Sequence, residues 1–149
     1  MGIYNFEINK PFQLEYAEGE AIKTIEVKFK LLTSAIRAKI LDIEATYSKK
    51  FTRLNKQHKK NIDEVNKENA NLNDVSLVEG GTEDMDEILQ DKIIDFNSQF
   101  SADIHEMATA KNMDIFLLIT DLKNQDSEKD YAIAQIQEAV EFFRTTYKF

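Results

Sequence analysis

The 149-residue chain contains no cysteine, one proline, four glycines and two histidines. The absence of cysteine excludes disulfides, thiolate nucleophiles and sulfur-ligated metal sites, and it favours a reducing compartment. Two of the glycines are adjacent, at 80 and 81, but no phosphate-binding loop and no dinucleotide fingerprint is present. The sequence has neither a secretory leader nor a run of about 18 apolar residues. We therefore expect a soluble cytoplasmic protein without a membrane segment.

Residues able to carry catalysis or to hold a metal are few. His58 and His105 are the only histidines. Glu106 follows His105, but Thr109 stands where the second histidine of a zinc protease motif would be. The many carboxylates are favourable at a helix start, and nothing in the sequence predicts the burial that would shift their pKa values. The sequence thus predicts a protein that is not an enzyme and has no cofactor or metal.

Charge is abundant and unevenly distributed. The net charge of −8 argues against general nucleic-acid binding. Residues 49–60 carry six basic side chains and no acid, whereas residues 79–95 carry seven acids and one lysine. Stacking on bases would need several exposed aromatic side chains, and the basic segment has only Phe51, which the core needs. The two opposite charges can pair between neighbouring copies, so we expect a homo-oligomer.

The first part of the chain predicts a β-hairpin. Residues 12–16 and 25–31 alternate apolar and polar side chains, and Gly19 lies in the turn signal between them. Residues 3–8 alternate less regularly and could add a third strand. One face of this hairpin is apolar, so a helix must cover it.

Residues 33–70 predict one long helix. Its apolar positions keep a single phase through an 11-residue repeat, and Thr33 or Ser34 can cap its first free N–H groups. The first half is apolar enough to belong to a core, but only three apolar side chains hold the stripe over residues 55–73. This polar half is a solvated extension, a partner seam or partly disordered. The partner-binding residues predicted along the stripe are Phe51, Leu54, His58, Ile62, Val65 and Leu72.

Residues 71–81 contain the clearest break and form a predicted linker, and a helical region follows over 82–149. The first helix of this region has an apolar stripe and would fold back on the long helix, so that the two form an antiparallel helical hairpin. Residues 115–122 fit a helix or a strand by periodicity, and we favour a helix because Asn112 and Asp114 are poor strand residues. Ser127 begins a predicted last helix with a capping box.

These parts predict a single α+β domain over 1–149 that is mainly α. Residues 1–32 form its β-hairpin region, which is a hairpin or a three-stranded sheet packed on a helical body. The long helix over 33–70 and the helical region over 82–149 form that body, including a long helical hairpin.

A family resemblance rests on a short strand with Lys10-Pro11-Phe12, a hairpin, and a threonine-led helix start, Leu32-Thr33-Ser34-Ala35-Ile36. A short apolar helix over 115–122 and a last helix ending Val140-Glu141-Phe142-Phe143 extend it. This order of parts resembles the tail assembly chaperones of long-tailed bacteriophages, although the polar segment 55–73 departs from their compact members. The resemblance implies binding to the tape measure protein, whose apolar helices would be kept from aggregating, with the major tail protein as a further partner.

Two other functions fit the residues. One is an acidic inhibitor from a phage or a mobile element, whose residues 79–95 imitate nucleic acid on a host protein. The other is a structural adaptor. An acidic patch along one rigid helix would favour the inhibitor, whereas loss of partner binding on changing Ile62, Val65 or Leu72 to Asp would favour the chaperone.

Overall fold

The computed structural model describes residues 4–75 and 82–148, with side chains described over 4–70 and 87–148. The chain forms two compact units. We call them the sheet unit, Met1–Tyr47 with Ala108–Phe149, and the hairpin unit, Ser48–Met107.

The secondary structure confirms the predicted α+β fold, which is mainly helical. A 3-10 turn at Asn124–Asp126 precedes the last strand. The strands and helices, in chain order, are β1 Phe12–Glu18, β2 Ala21–Val27, α1 Ser34–Val75, α2 Thr82–Ile119, β3 Asp130–Tyr131 and α3 Ile133–Thr146.

The sheet has the strand order β2-β1-β3, with β1 antiparallel to both neighbours. Leu14 pairs with Ile25 on one side of β1, and Tyr16 pairs with Tyr131 on the other. Gly19 lies in the turn with φ 64°, a left-handed conformation that favours glycine. The predicted hairpin is therefore confirmed, and its turn is at the predicted glycine.

The third strand is not the predicted one. The described part of the predicted strand 3–8 is irregular, and Phe6 and Ile8 pack against the core instead. The edge of β1 is occupied by β3, from the other end of the sheet unit's sequence. The second strand also ends earlier than predicted, at Val27, because Phe29 leaves β1 and forms an isolated bridge with Thr120.

A buried amide extends the contact between β1 and the end of the chain. The Gln135 side chain is 2% exposed; its Oε1 accepts the Glu15 N–H at 2.9 Å, and its Nε2 donates to the Gln13 carbonyl. The Ala132 N–H donates to the Glu15 carbonyl at 3.0 Å. Since residues 124–131 form the 3-10 turn and β3, the last helix begins at Ile133 and not at the predicted Ser127.

Both long helices run further than predicted. Thr33 Oγ1 accepts the Ile36 N–H at 3.2 Å, which confirms Thr33 as a cap of α1. α1 continues to Val75, into the predicted linker, whose residues 76–81 lie outside the described part. α2 passes without a break into residues 115–119, which confirms the favoured helix over that part, but the helix ends at Ile119 and Thr120 forms the bridge with Phe29, so residues 120–122 are not helical as predicted.

The core of the sheet unit is rich in aromatic side chains. Phe116 and Phe143 are almost completely buried, and the rings of Phe12 and Phe29 lie 4.9 Å apart. Phe6 meets Phe12 edge to face at the same centroid distance, 4.9 Å. The apolar faces of β1 and β2 are thus covered by α1, α2 and α3, as a lone hairpin requires.

We expect Gln135→Leu to lower the free energy of unfolding by about 2 kcal/mol, because two backbone groups of β1 lose their partner. The measurement is urea unfolding followed by circular dichroism. Gln137→Leu is the matched control, since Gln137 is exposed on the same helix. Equal stability of the two variants would contradict this role of Gln135.

A second prediction concerns alkaline pH. Desolvation and the hydrogen bond from its hydroxyl to Asp114, at 2.8 Å, raise the pKa of Tyr47 from 10.0 to about 12. A raised pKa favours the neutral phenol in the fold, so this contribution is complete below pH 10.0 and is lost as the pH rises towards 12. Unfolding measured across that range should be less pH-dependent in Tyr47→Phe than in the parent, and identical slopes would contradict the assignment.

Candidate helix-binding surface

The two helices of the hairpin unit run antiparallel. The His58 ring stacks on the Phe100 ring with centroids 4.3 Å apart and planes 14° apart. Further along α1, the Glu68 carboxylate lies 3.3 Å from Lys92 Nζ, and Lys92 precedes Phe100 in α2. Residues later in α1 thus contact residues earlier in α2, so the two helices are antiparallel. This confirms the predicted helical hairpin.

The seam between these helices buries little. Val65 and Leu89, at 3% and 4% exposed, are the buried side chains among those described in the hairpin unit. The other apolar contact positions are half-buried, because two helices hide only the strip along which they touch. These half-buried positions are Leu54, His58, Ile62, Ile93, Phe96, Phe100, Ile104 and Met107.

The predicted partner-binding residues lie mainly on the side of α1 that meets α2. Val65 is buried, Leu54, His58 and Ile62 are half-buried, and Phe51 is 45% exposed. The sixth residue, Leu72, has a side chain outside the described part. The structure therefore directs most of this set towards the chain's own second helix.

His58 has a ring partner in Phe100. Over the described residues, no group of three or more His, Asp or Glu side chains is placed to hold a metal ion. His58 therefore contributes a ring that stacks on Phe100 in the seam between α1 and α2.

One lateral face of the hairpin unit is polar and charged. Three contacts mark it: Gln57 with Asn61 at 2.9 Å, Gln99 with Asp103 at 2.8 Å, and Lys92 with Glu68 at 3.3 Å. A helical projection at 3.6 residues per turn places further charged side chains on the same face. These are Lys50, Glu64, Asp95 and Glu106.

The opposite lateral face is nearly free of charge, and we call it the low-charge face. Ile94 is 58% exposed there, and Ile62 and Ile104 lie half-buried where the face meets the seam. Lys59 is its one charged residue among the described side chains. The projection assigns to the low-charge face Thr52, Asn55, Lys59, Ile62 and Asn66 of α1 and Gln90, Ile94, Asn97, Ser101 and Ile104 of α2.

The outer edges of the two helices carry opposite charges. On α1, the positions that point away from α2 form a mainly basic edge, with Lys49, Arg53, Lys56, Lys60 and Lys67 beside the exposed acid Asp63. On α2, the corresponding positions Glu87 and Asp91 are exposed acids. The low-charge face is thus flanked by a basic edge on one side and an acidic edge on the other.

The sheet unit has its own surface groove, of about 650 Å³. Its carboxylates are engaged in the fold: Asp121 accepts the Lys28 N–H at 2.7 Å, and Asp114 accepts the Tyr47 hydroxyl at 2.8 Å. The groove is otherwise lined by leucines and lysines with Ile43 and Asn124. The low-charge face is therefore the stronger candidate for binding.

No helix in the described ranges combines the length and the apolar character needed to cross a membrane. This agrees with the alternation of polar and apolar positions along α1 and α2.

We expect Leu89→Ala to lower the unfolding free energy by about 2 to 3 kcal/mol, because it opens a cavity in a seam with few buried side chains. Ile88→Ala is the control, since its neighbouring side chain is 49% exposed and loses little burial. Urea unfolding monitored by helical circular dichroism measures both. Similar losses in the two variants would show that the seam is not packed as described.

Comparison of the chain with protein-family models, with curated proteins and with solved structures finds no match.

Proposed function

We propose that the protein is a non-enzymatic assembly chaperone that binds an amphipathic helix of its partner on the low-charge face. The observation that carries this proposal is the exposure of Ile94, beside the half-buried Ile62 and Ile104, on a face with one charged residue. A third helix lying along this face would cover all three side chains without burying an ion pair. Helices in grooves between two others are a recurring form of recognition.

The identity of the partner comes from the resemblance to phage tail assembly chaperones over residues 8–36. That resemblance implies the tape measure protein as the main partner and the major tail protein as a second. A tape measure protein presents long apolar helices before the tail assembles around it. In this proposal, the hairpin unit shields one such helix in the host cytoplasm until assembly removes it.

The chemistry of the face suits a bound helix that must later leave. Its polar side chains are mostly amides and hydroxyls, such as Asn55, Asn66, Asn97 and Ser101, which can remain partly hydrated around the apolar centre. A fully apolar face would hold a client more tightly and would also promote aggregation of the free chaperone. Self-association on the same face would protect the three isoleucines when no client is bound.

The test is co-expression with the tape measure protein encoded in the same genome, with the soluble fraction of that protein and its co-elution measured. We expect Ile94→Asp to weaken binding about tenfold or more, because a carboxylate would be desolvated under the client helix. Ile22→Asp is the control, since Ile22 is 75% exposed on β2 in the sheet unit. No gain in soluble tape measure protein, or equal effects of the two variants, would refute the proposal.

A further inference from the structure

We infer that the outer edge of β2, in the sheet unit, binds a short extended segment of a protein partner. The segment joins the sheet as an added antiparallel strand, and it carries a basic residue followed four positions later by an apolar one. This site is separate from the low-charge face and does not depend on the proposed chaperone function.

The hydrogen bonds of β1 determine which backbone groups of β2 point outward. Glu15 directs its N–H and its carbonyl away from β2, to the Gln135 side chain at 2.9 Å and to the Ala132 N–H at 3.0 Å. Successive residues of a strand direct these groups to opposite edges, so Leu14 directs its own towards β2, where it pairs with Ile25. Ile25 therefore points to β1, and its two neighbours in β2 point to the outer edge.

The same alternation makes Ile22, Thr24 and Glu26 the outward residues of β2. Beyond them the edge is occupied, because Lys28 donates its N–H to the Asp121 carboxylate at 2.7 Å and accepts the Asp121 N–H at 3.0 Å. Within the described part of the chain, no backbone hydrogen bond reaches the outward groups of the three residues. A row of unpaired N–H and carbonyl groups is what an added strand needs.

The devices that commonly protect an edge strand are weak here. Such strands are often protected by a proline, a bulge or a lysine. β2 contains no proline, and its register with β1 continues without a bulge from end to end. Its one lysine, Lys23, has Nζ 3.2 Å from the Glu18 carboxylate, so the side chain is drawn over β1 and away from the outer edge. Thr24, at the middle of the open stretch, is exposed.

The side chains beside the open edge favour a basic and apolar partner. The sheet face turned away from the core carries three carboxylates, Glu15, Glu26 and Asp130, and no lysine or arginine of the strands. At the other end of the open stretch, Ile22 is 75% exposed on the same face. In an antiparallel strand, the residue opposite Glu26 precedes the residue opposite Ile22 by four positions. A basic residue at the first position and a β-branched one at the second make favourable cross-strand pairs.

A second copy of β2 fits this edge poorly. Joining two sheets edge to edge would bring two faces with three carboxylates each into one surface, and like charges repel. Pairing the two strands about Thr24, which uses all the outward residues, would also place Glu20 of the second copy opposite Lys28. That position is already taken by Asp121. We therefore assign the edge to a segment of a different protein.

The test is a titration of the isotope-labelled full chain with the acetylated and amidated heptapeptide Arg-Thr-Val-Thr-Ile-Thr-Lys, followed by two-dimensional NMR. Its arginine is opposite Glu26 and its isoleucine is opposite Ile22 in the inferred pairing. We expect the amide signals of Ile22, Thr24 and Glu26 to shift most. A peptide with the arginine and the isoleucine exchanged has the same composition and should bind about fivefold more weakly, because both cross-strand pairs are lost. Equal binding would overturn the antiparallel pairing.

N-methylation of the peptide tests the backbone hydrogen bonds. The central valine exchanges both of its hydrogen bonds with Thr24, whereas the threonine after it directs its N–H away from the sheet. Methylation of the valine nitrogen should therefore weaken binding about tenfold, and methylation of that threonine nitrogen should leave it within about twofold. Equal effects of the two methyl groups would overturn strand addition.

A charge exchange tests the basic position. Glu26→Arg should weaken binding of the peptide about fivefold, and a peptide with glutamate in place of its arginine should recover most of the affinity on this variant. Glu141→Arg is the control, because it makes the same change of net charge at an exposed position on α3 and should leave the dissociation constant unchanged. Equal losses in the two variants would overturn the site.

Two further outcomes would also overturn the inference. One is that the three amide signals do not respond to the peptide. The other is that they shift with the concentration of the chain and not with the peptide, which would assign the edge to a second copy. Neither outcome bears on tape measure binding, which Ile94→Asp tests on the hairpin unit.

Discussion

Two helices in contact can cover only the strip along which they touch, and this limit explains the division of the chain. The sheet unit packs its apolar residues between one face of its three-stranded sheet and three helices, with an aromatic core around Phe116 and Phe143. The hairpin unit has only Val65 and Leu89 buried among its described side chains. Stability is therefore concentrated in the sheet unit, whereas the low-charge face that we propose for partner binding is in the hairpin unit.

The sequence predicts the long helices well because their apolar stripes repeat over many turns. It predicts β1 because apolar and polar side chains alternate along that strand, and it predicts the turn because a glycine follows the alternating run. It does not predict β3, since a strand of two residues has no alternation to detect, and its attachment through Gln135 depends on a contact with Gln13 and Glu15 far away in the chain. Burial of that amide cannot be read from a local pattern.

The candidate surface is predicted only in part. The six stripe residues belong to the segment of α1 that carries the low-charge face, but those with described side chains mainly face α2, and the low-charge face lies about a quarter turn around the helix. Finding that face requires knowing which side of each helix the other covers. One signal was present in the sequence: Ile94 is a large apolar residue that falls outside the stripe containing Ile93 and Phe96. The Ile94 side chain is exposed because its position on α2 lies outside the stripe that packs against α1.

The sheet unit is made from both ends of the chain, with the hairpin unit inserted between Tyr47 and Ala108. During synthesis, β1 and β2 leave the ribosome long before Gln135 and Phe143, their partners in the core. At about 5 to 20 residues per second, this delay is roughly 5 to 20 seconds. Over that interval the hairpin unit can fold as a continuous segment, while the apolar face of the nascent sheet has the start of α1 to cover it but not yet α3. Because of this order of synthesis, the hairpin unit can fold before the aromatic core of the sheet unit is complete.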